Sequence, residues 1–162
     1  MKVKELMTET VVTVSPEDSL EKVFFLFNFE NIRHLPVVEN SNIVGIVSDR
    51  DLKKVLGSPK EFRGKTKGVP FNIPAKKVAA IMRTDVLITG PEERAADVAA
   101  VMVAKKIGVL PVAQKDKLVG IISAIDILKA FVGVCNSLEQ VDFKAFGSLL
   151  NQLESVRKFK KS

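Results

Sequence analysis

The chain has 162 residues, 46% of them hydrophobic and 27% charged, with 9 glycines and 7 prolines, which excludes disorder, collagen and low-complexity sequence. No apolar run approaches the ~20 residues of a membrane span, the first residues carry no signal-peptide pattern, and a lone Cys135 and lone His34 exclude an internal disulfide and a Cys/His zinc site, so a reducing, cytoplasmic setting is expected. The net charge of +6 is local: residues 53–77 hold eight Lys and Arg against Glu61, the tail adds Arg157, Lys158, Lys160 and Lys161, and with no Trp or Tyr to stack on bases these charges read as solvated surface, not as a nucleic-acid site.

From the amino terminus, Lys2–Met7 reads as a short helix and Thr10–Val14, short and β-branched, as a strand. Ser15-Pro16-Glu17-Asp18 predicts a helix start, with Ser15 as N-cap and Pro16 at the first helical position. Leu20, Val23, Phe24 and Phe27 continue it at helical spacing. Leu35–Val38 and Ile43–Ser48 read as strands joined by the turn residues Asn40-Ser41-Asn42, and Ser48-Asp49-Arg50-Asp51 opens a second helix. Gly57–Pro74 contains three glycines, three prolines and no periodicity, which makes it a connector. Beyond it, Ala75–Ile81 predicts another short helix, and Asp85–Thr89, Leu110–Ala113 and Lys117–Ser123 predict strands. Helices are expected over Glu92–Lys105 and Ser123–Val132. Leu138, Val141, Ala145, Leu149, Leu153 and Val156 step by three or four, so Ser137–Lys161 reads as an additional helix, with Gly147 weakening its middle.

An offset of 75 residues lays Leu6–Lys54 over Ile81–Lys129 without a gap, and 15 of the 49 aligned positions are identical. Met7 falls on Met82, Val11 on Val86, Pro16-Glu17 on Pro91-Glu92, Leu35-Pro36-Val37 on Leu110-Pro111-Val112 and Val44-Gly45-Ile46 on Val119-Gly120-Ile121. Ser48 and Asp51 fall on Ser123 and Asp126. The chain is a tandem duplication of a β-α-β-β-α unit.

The glycine of each Gly-Ile-hydrophobic-Ser-x-x-Asp stretch permits close approach of another backbone or of a ligand. The serine stands at a helix start, where free amides and the helix dipole favour an anion such as phosphate. The aspartate, one turn in, offers two acceptor oxygens suited to the vicinal hydroxyls of a ribose. The alternative is purely local, with Ser48 and Ser123 as N-caps and Asp51 and Asp126 as first-turn charges.

The two Leu-Pro-Val segments and the motifs Gly45-Ile46-Val47-Ser48-Asp49-Arg50-Asp51 and Gly120-Ile121-Ile122-Ser123-Ala124-Ile125-Asp126 resemble the CBS (cystathionine β-synthase) domain, and the duplicated pair resembles a Bateman module. The resemblance implies an α/β fold of two units about a pseudo-twofold axis, with their sheets facing each other. Units over 1–56 and 75–134 are expected, joined by the basic connector 57–74 and followed by a helix and basic tail over 135–162. It further implies a non-catalytic regulatory module with no cofactor, binding an adenine nucleotide (AMP, ADP or ATP) between the repeats. The rival reading is a structural or protein-interaction module taking S-adenosylmethionine or no ligand.

By the same resemblance, one cleft combines Ser123, Ile125 and Asp126 with Val11, Val12, Ile32 and Arg33. The other combines Ser48, Arg50 and Asp51 with Val86, Leu87, Ile107 and Gly108. Arg33 and His34 stand where phosphate-binding basic residues recur in such modules; Gly108 and Val109 depart from that, with Arg50 as a compensating cation. Such modules pair into homodimers through helix faces, which places Phe25 or Phe29, of the set Phe24, Phe25, Phe27 and Phe29, at a subunit contact. A protein target is implied without being named. No Ser/His/Asp order, phosphate loop or metal cluster argues for an enzyme.

Overall fold

Each repeat contributes a helix, a hairpin and a second helix. In this computed structural model, which describes residues 1–30, 32–56 and 73–137, these are α1 (Leu20–Phe29), β1 (His34–Glu39), β2 (Asn42–Ser48) and α2 (Asp49–Leu56). They are followed by α3 (Ala95–Lys105), β3 (Val109–Gln114), β4 (Lys117–Ser123) and α4 (Ala124–Ser137). Met1–Asp126 forms one compact unit containing both hairpins, and α4 from Ile127 onward belongs to a second. The connector and the additional helix expected after Ser137 lie outside the described residues, apart from Ile73, Pro74 and Ser137.

The hairpins are internal copies in register as well as in sequence. His34 pairs with Ser48 and Val109 with Ser123, and both ladders shift register at the same place, between Val37 and Val38 and between Val112 and Ala113. Each turns through two residues with positive φ, Asn40-Ser41 and Lys115-Asp116. That is the primed-turn geometry that matches strand twist. The sheets expected to face each other instead form one antiparallel sheet of order β1-β2-β4-β3, joined across its centre by the single pair Asn42–Lys117.

Thr10–Val14 and Asp85–Thr89 are not strands. Each is reduced to one parallel bridge, Val14 with Val37 and Thr89 with Val112. Val14 donates to Pro36 O at 3.1 Å and accepts from Val38 N at 2.8 Å. The next parallel rung would require an N–H from Pro36, which proline lacks. Pro111 stops the second copy in the same way.

Helix starts also differ from the expectation. Asp18 accepts from the Ser15 amide at 2.7 Å and Glu93 from the Gly90 amide at 3.3 Å, so Ser15–Asp18 and its copy close as turns. Ser19, not Ser15, caps α1, its Oγ accepting from the Lys22 amide at 3.2 Å. Helix α4 continues past Val132 to Ser137.

The leading segment of each repeat folds onto the other repeat. Lys2–Met7 and Ala75–Ile81 contain only 3₁₀ turns, Val3–Glu5 and Val78–Ala80. Val3 donates to Glu93 O and Lys4 to Pro91 O, both at 2.9 Å; reciprocally, Val78 donates to Asp18 O at 2.8 Å and Ala79 to Pro16 O at 3.0 Å. Val78 completes the core of the first repeat among Val14, Leu20, Val23, Leu35, Val37, Val47 and Leu52. Val3, its copy, is equally buried. Lys2 and Lys4 bind Glu92 at 2.6 Å on one side and Lys77 binds Glu17 on the other. Both repeats are therefore needed to finish either one.

Helix α3 ends on Lys106, whose φ of 54° is left-handed and whose amide reaches back to Met102 O and Val103 O. A side chain pays a steric penalty there that glycine avoids. Lys106→Gly is expected to raise stability by about 1 kcal/mol in urea denaturation.

Candidate functional site

The repeated serine and aspartate fold back on each other at the starts of α2 and α4. Asp51 Oδ2 accepts from Ser48 Oγ at 2.5 Å and from the Ser48 amide at 3.1 Å, while Ser48 Oγ accepts from the Asp51 amide at 3.3 Å. In the second copy the same three distances are 2.6, 2.8 and 3.3 Å. These are reciprocal capping pairs, so the local role is present in both copies.

The Asp49 amide donates to Arg33 O at 3.1 Å and the Ala124 amide to Gly108 O at 2.9 Å. The expectation of free amides is thereby narrowed to the residue before each aspartate, Arg50 and Ile125. At each helix start the amides of the serine, of the residue after it and of the aspartate already have partners. With those three amides taken, side chains are the main donors left to a phosphate here, and Arg33 and Arg50 are both exposed.

The glycine ambiguity resolves toward backbone. A Cβ on Gly45 would stand 2.9 Å from Met82 Sδ and 3.0 Å from Arg83 O; one on Gly120 would stand 2.5 Å from Met7 Sδ and 3.1 Å from Thr8 O. The close approach is made by the leading segment of the opposite repeat. Thr8 pairs with Ile121, two residues before Ser123, and Arg83 pairs with Ile46, two residues before Ser48. The chain then runs on to Val11 and Val12 from Thr8, and to Val86 and Leu87 from Arg83. Val12 and Leu87 are exposed, as are Ile125 and Gly108, while Val11, Val86, Ile32 and Ile107 are half-buried.

The two aspartates differ electrostatically. Asp51, its side chain 8% exposed, has Arg83 Nη2 at 3.4 Å and Lys54 Nζ at 3.8 Å from Oδ1. Burial alone would raise its pKa, but the Ser48 donors, Arg83 and Lys54 outweigh it and hold the carboxyl below its ordinary value. No described residue forms an ion pair with Asp126. Arg83 was not among the residues picked out from sequence; the available signal was that it stands where the first repeat has Thr8.

Arg33 and His34 lie against α2 of their own repeat, and among the described residues no hydrogen bond or ion pair joins either to Ser123 or Asp126. Ile32 and Arg33 line a pocket of about 420 Å³ walled by Phe24, Phe27, Leu52 and Leu56. Burial lowers the His34 pKa from about 6.5, Asp49 and Asp51 oppose this, and Arg50 and Arg33 reinforce it. The folded chain therefore binds fewer protons than the unfolded one just below that value. Stability is expected to fall as pH drops through about 6.5 and to level off below the folded-state pKa. His34→Asn should flatten this step in denaturation midpoints measured from pH 7.5 to 5.

Among the described residues no helix is long and apolar enough to cross a membrane, and no cluster of His, Cys, Asp and Glu could hold a metal ion. Thr89 Oγ1, at the position of Val14, is buried without a hydrogen-bond partner among them.

Comparison with known proteins agrees with the duplication. The CBS domain family model matches residues 3–58 and 78–133. The uncharacterized protein MJ1225 of Methanocaldococcus jannaschii is 31% identical over 130 residues, 80% of this chain and 46% of that protein. The chain thus spans about half or less of the length of the first curated relatives it matches. Among solved structures, the CBS domain pair of protein MJ0100 in complex with 5′-methylthioadenosine and S-adenosyl-L-methionine superposes with a TM-score of 0.68 at 26% identity, covering 82% of this chain and 97% of that one. CBSX2 in complex with AMP gives 0.68 at 25% identity with the same coverage.

Proposed function

The chain belongs to the CBS domain family, and from that membership we propose that it is a cytoplasmic, non-catalytic regulatory module that binds an adenosine-containing ligand between its two repeats. The observation that carries this is the common part of the ligands bound by its structural neighbours: AMP in one, methylthioadenosine and S-adenosylmethionine in the other, all built on adenosine. Asp126 with Ser123, Ile125, Val11 and Val12 forms the ribose side. Asp126 Oδ2 is engaged by Ser123, and no described residue donates to Oδ1. Arg33 and Arg50 are the cations available to a phosphate, with His34 beside them as a neutral hydrogen-bonding group. Ser48 and Asp51 with Val86, Leu87, Ile107 and Gly108 form the second site. Domain limits of 1–56 and 75–134, with the basic connector 57–74 between them and a helical tail over 135–162, belong to the same reading.

S-adenosylmethionine in place of a phosphate-bearing nucleotide is favoured by the MJ0100 complex and by the partners that three amides at each helix start already hold. A thermal-shift panel of AMP, ADP, ATP, S-adenosylmethionine and methylthioadenosine, with GMP as control, separates the two. A ligand at 100 times its Kd should add about 2.7 kcal/mol, a rise of several degrees. Rises for adenosine compounds and none for GMP are expected.

The module also forms a homodimer through helix faces. Phe25 and Phe29 stack at 5.6 Å on the open side of α1, Phe29 being 76% exposed, and α4 exposes Leu128 and Phe131. Light scattering of the full chain at micromolar concentration should give the dimer mass, and Phe29→Glu should shift it toward monomer.

A further inference from the structure

We propose that Arg83 gates the Asp51 side of the pair, so that an adenosine ligand enters the Asp126 side more readily. This rests on the reading that the clefts take adenosine compounds, and it goes further by making the two clefts unequal for a stated reason. A ribose diol needs carboxylate oxygens free to accept its hydroxyl protons. At Asp51 both are engaged, Oδ2 by Ser48 and Oδ1 by Arg83 at 3.4 Å.

The position of Arg83 is fixed by its backbone. Its amide and carbonyl both pair with Ile46 at 2.9 Å, and the preceding Met82 lies against Gly45. The guanidinium therefore starts from a fixed point beside the α2 start, two residues along the strand from Ser48. The second copy repeats every part of this except the cation. Thr8 makes the same double pairing with Ile121, Met7 lies against Gly120, and Lys129 repeats Lys54. A threonine cannot form an ion pair, and no described residue does so with Asp126. Within hydrogen-bond reach of the two carboxylates, the difference the backbone sets is Arg83 against Thr8, and Lys54 pairs with Asp51 more loosely, at 3.8 Å.

A ribose binding at Asp51 must first displace the guanidinium. Because the Arg83 side chain is 63% exposed, the barrier is that of a half-solvated pair, roughly fivefold in affinity. The test uses calorimetry with adenosine, which is neutral, so that general attraction between arginine and phosphate does not enter. Asp126→Asn leaves the Asp51 side to be read, and Asp51→Asn leaves the Asp126 side. Arg83→Thr should tighten adenosine binding about fivefold in the first chain and leave the second unchanged. Thr8→Arg should weaken it by a similar factor in the second chain. Equal effects of Arg83→Thr in both chains, or none in either, overturn the gate while the adenosine reading stands. Weaker binding in the first chain also overturns it, making Arg83 a ligand contact. Absence of adenosine binding in wild type and every variant overturns both together.

Discussion

Gly120→Val is expected to lower stability by about 2–3 kcal/mol and the Tm by roughly 5–10 °C, although the residue lies in a strand where valine is otherwise favoured. The reason is the leading segment of the opposite repeat. A Cβ at this position meets Met7 Sδ at 2.5 Å and Thr8 O at 3.1 Å. Met7 is flexible and can swing aside, but Thr8 O accepts from the Ile121 amide and cannot retreat without breaking that pair. Gly120→Ala should therefore cost less than valine, and Met7→Ala should recover part of the alanine loss, a coupling of about 0.5–1 kcal/mol in a double-mutant cycle. Gly45→Val should behave alike through Met82 and Arg83. If both valine variants melt with wild type, the exchange of leading segments does not hold the repeats together.

Asp126→Asn is expected to weaken binding of an adenosine ligand by about 10- to 150-fold, the loss associated with a hydrogen bond to a charged acceptor. The amide keeps the shape but replaces one acceptor with a donor. The preference for ribose over 2′-deoxyribose should shrink in parallel, because both depend on the same carboxylate. Asparagine can still accept from Ser123, so the capping pair survives in weakened form and folding should fall by only about 1 kcal/mol. Calorimetry of AMP and dAMP against wild type, Asp126→Asn and Asp51→Asn separates these effects. Unchanged AMP affinity in Asp126→Asn would leave its carboxylate a helix cap alone.

Much of the fold was legible because the chain states it twice. The 75-residue offset pointed to two like units, and the hairpins follow it down to the shared register shift beside Val37 and Val112. What was not legible was long-range. Nothing local marks Val3 or Val78 as core residues of the opposite repeat, and a short apolar segment before a repeat reads as its own first helix. The strand expected at Thr10–Val14 failed because its partner presents Pro36, a fact about pairing and not about its own β-branched residues.

At the candidate site, sequence singled out Ser48, Asp51, Ser123 and Asp126 but left cap and ligand roles open, because both need an acceptor one turn into a helix. Arg83 escaped notice because its role depends on which strand its backbone joins. Its departure from Thr8 gains meaning only beside Asp51.

Amide chemical-shift mapping of the full chain during titration with AMP tests the central claim most directly. Saturable shifts concentrated at Val11, Val12 and Ser123 to Asp126, absent with GMP, are the predicted result. Shifts confined to the pocket lined by Phe24, Phe27 and Leu52, or no shifts with AMP or S-adenosylmethionine at millimolar concentration, would contradict adenosine binding between the repeats.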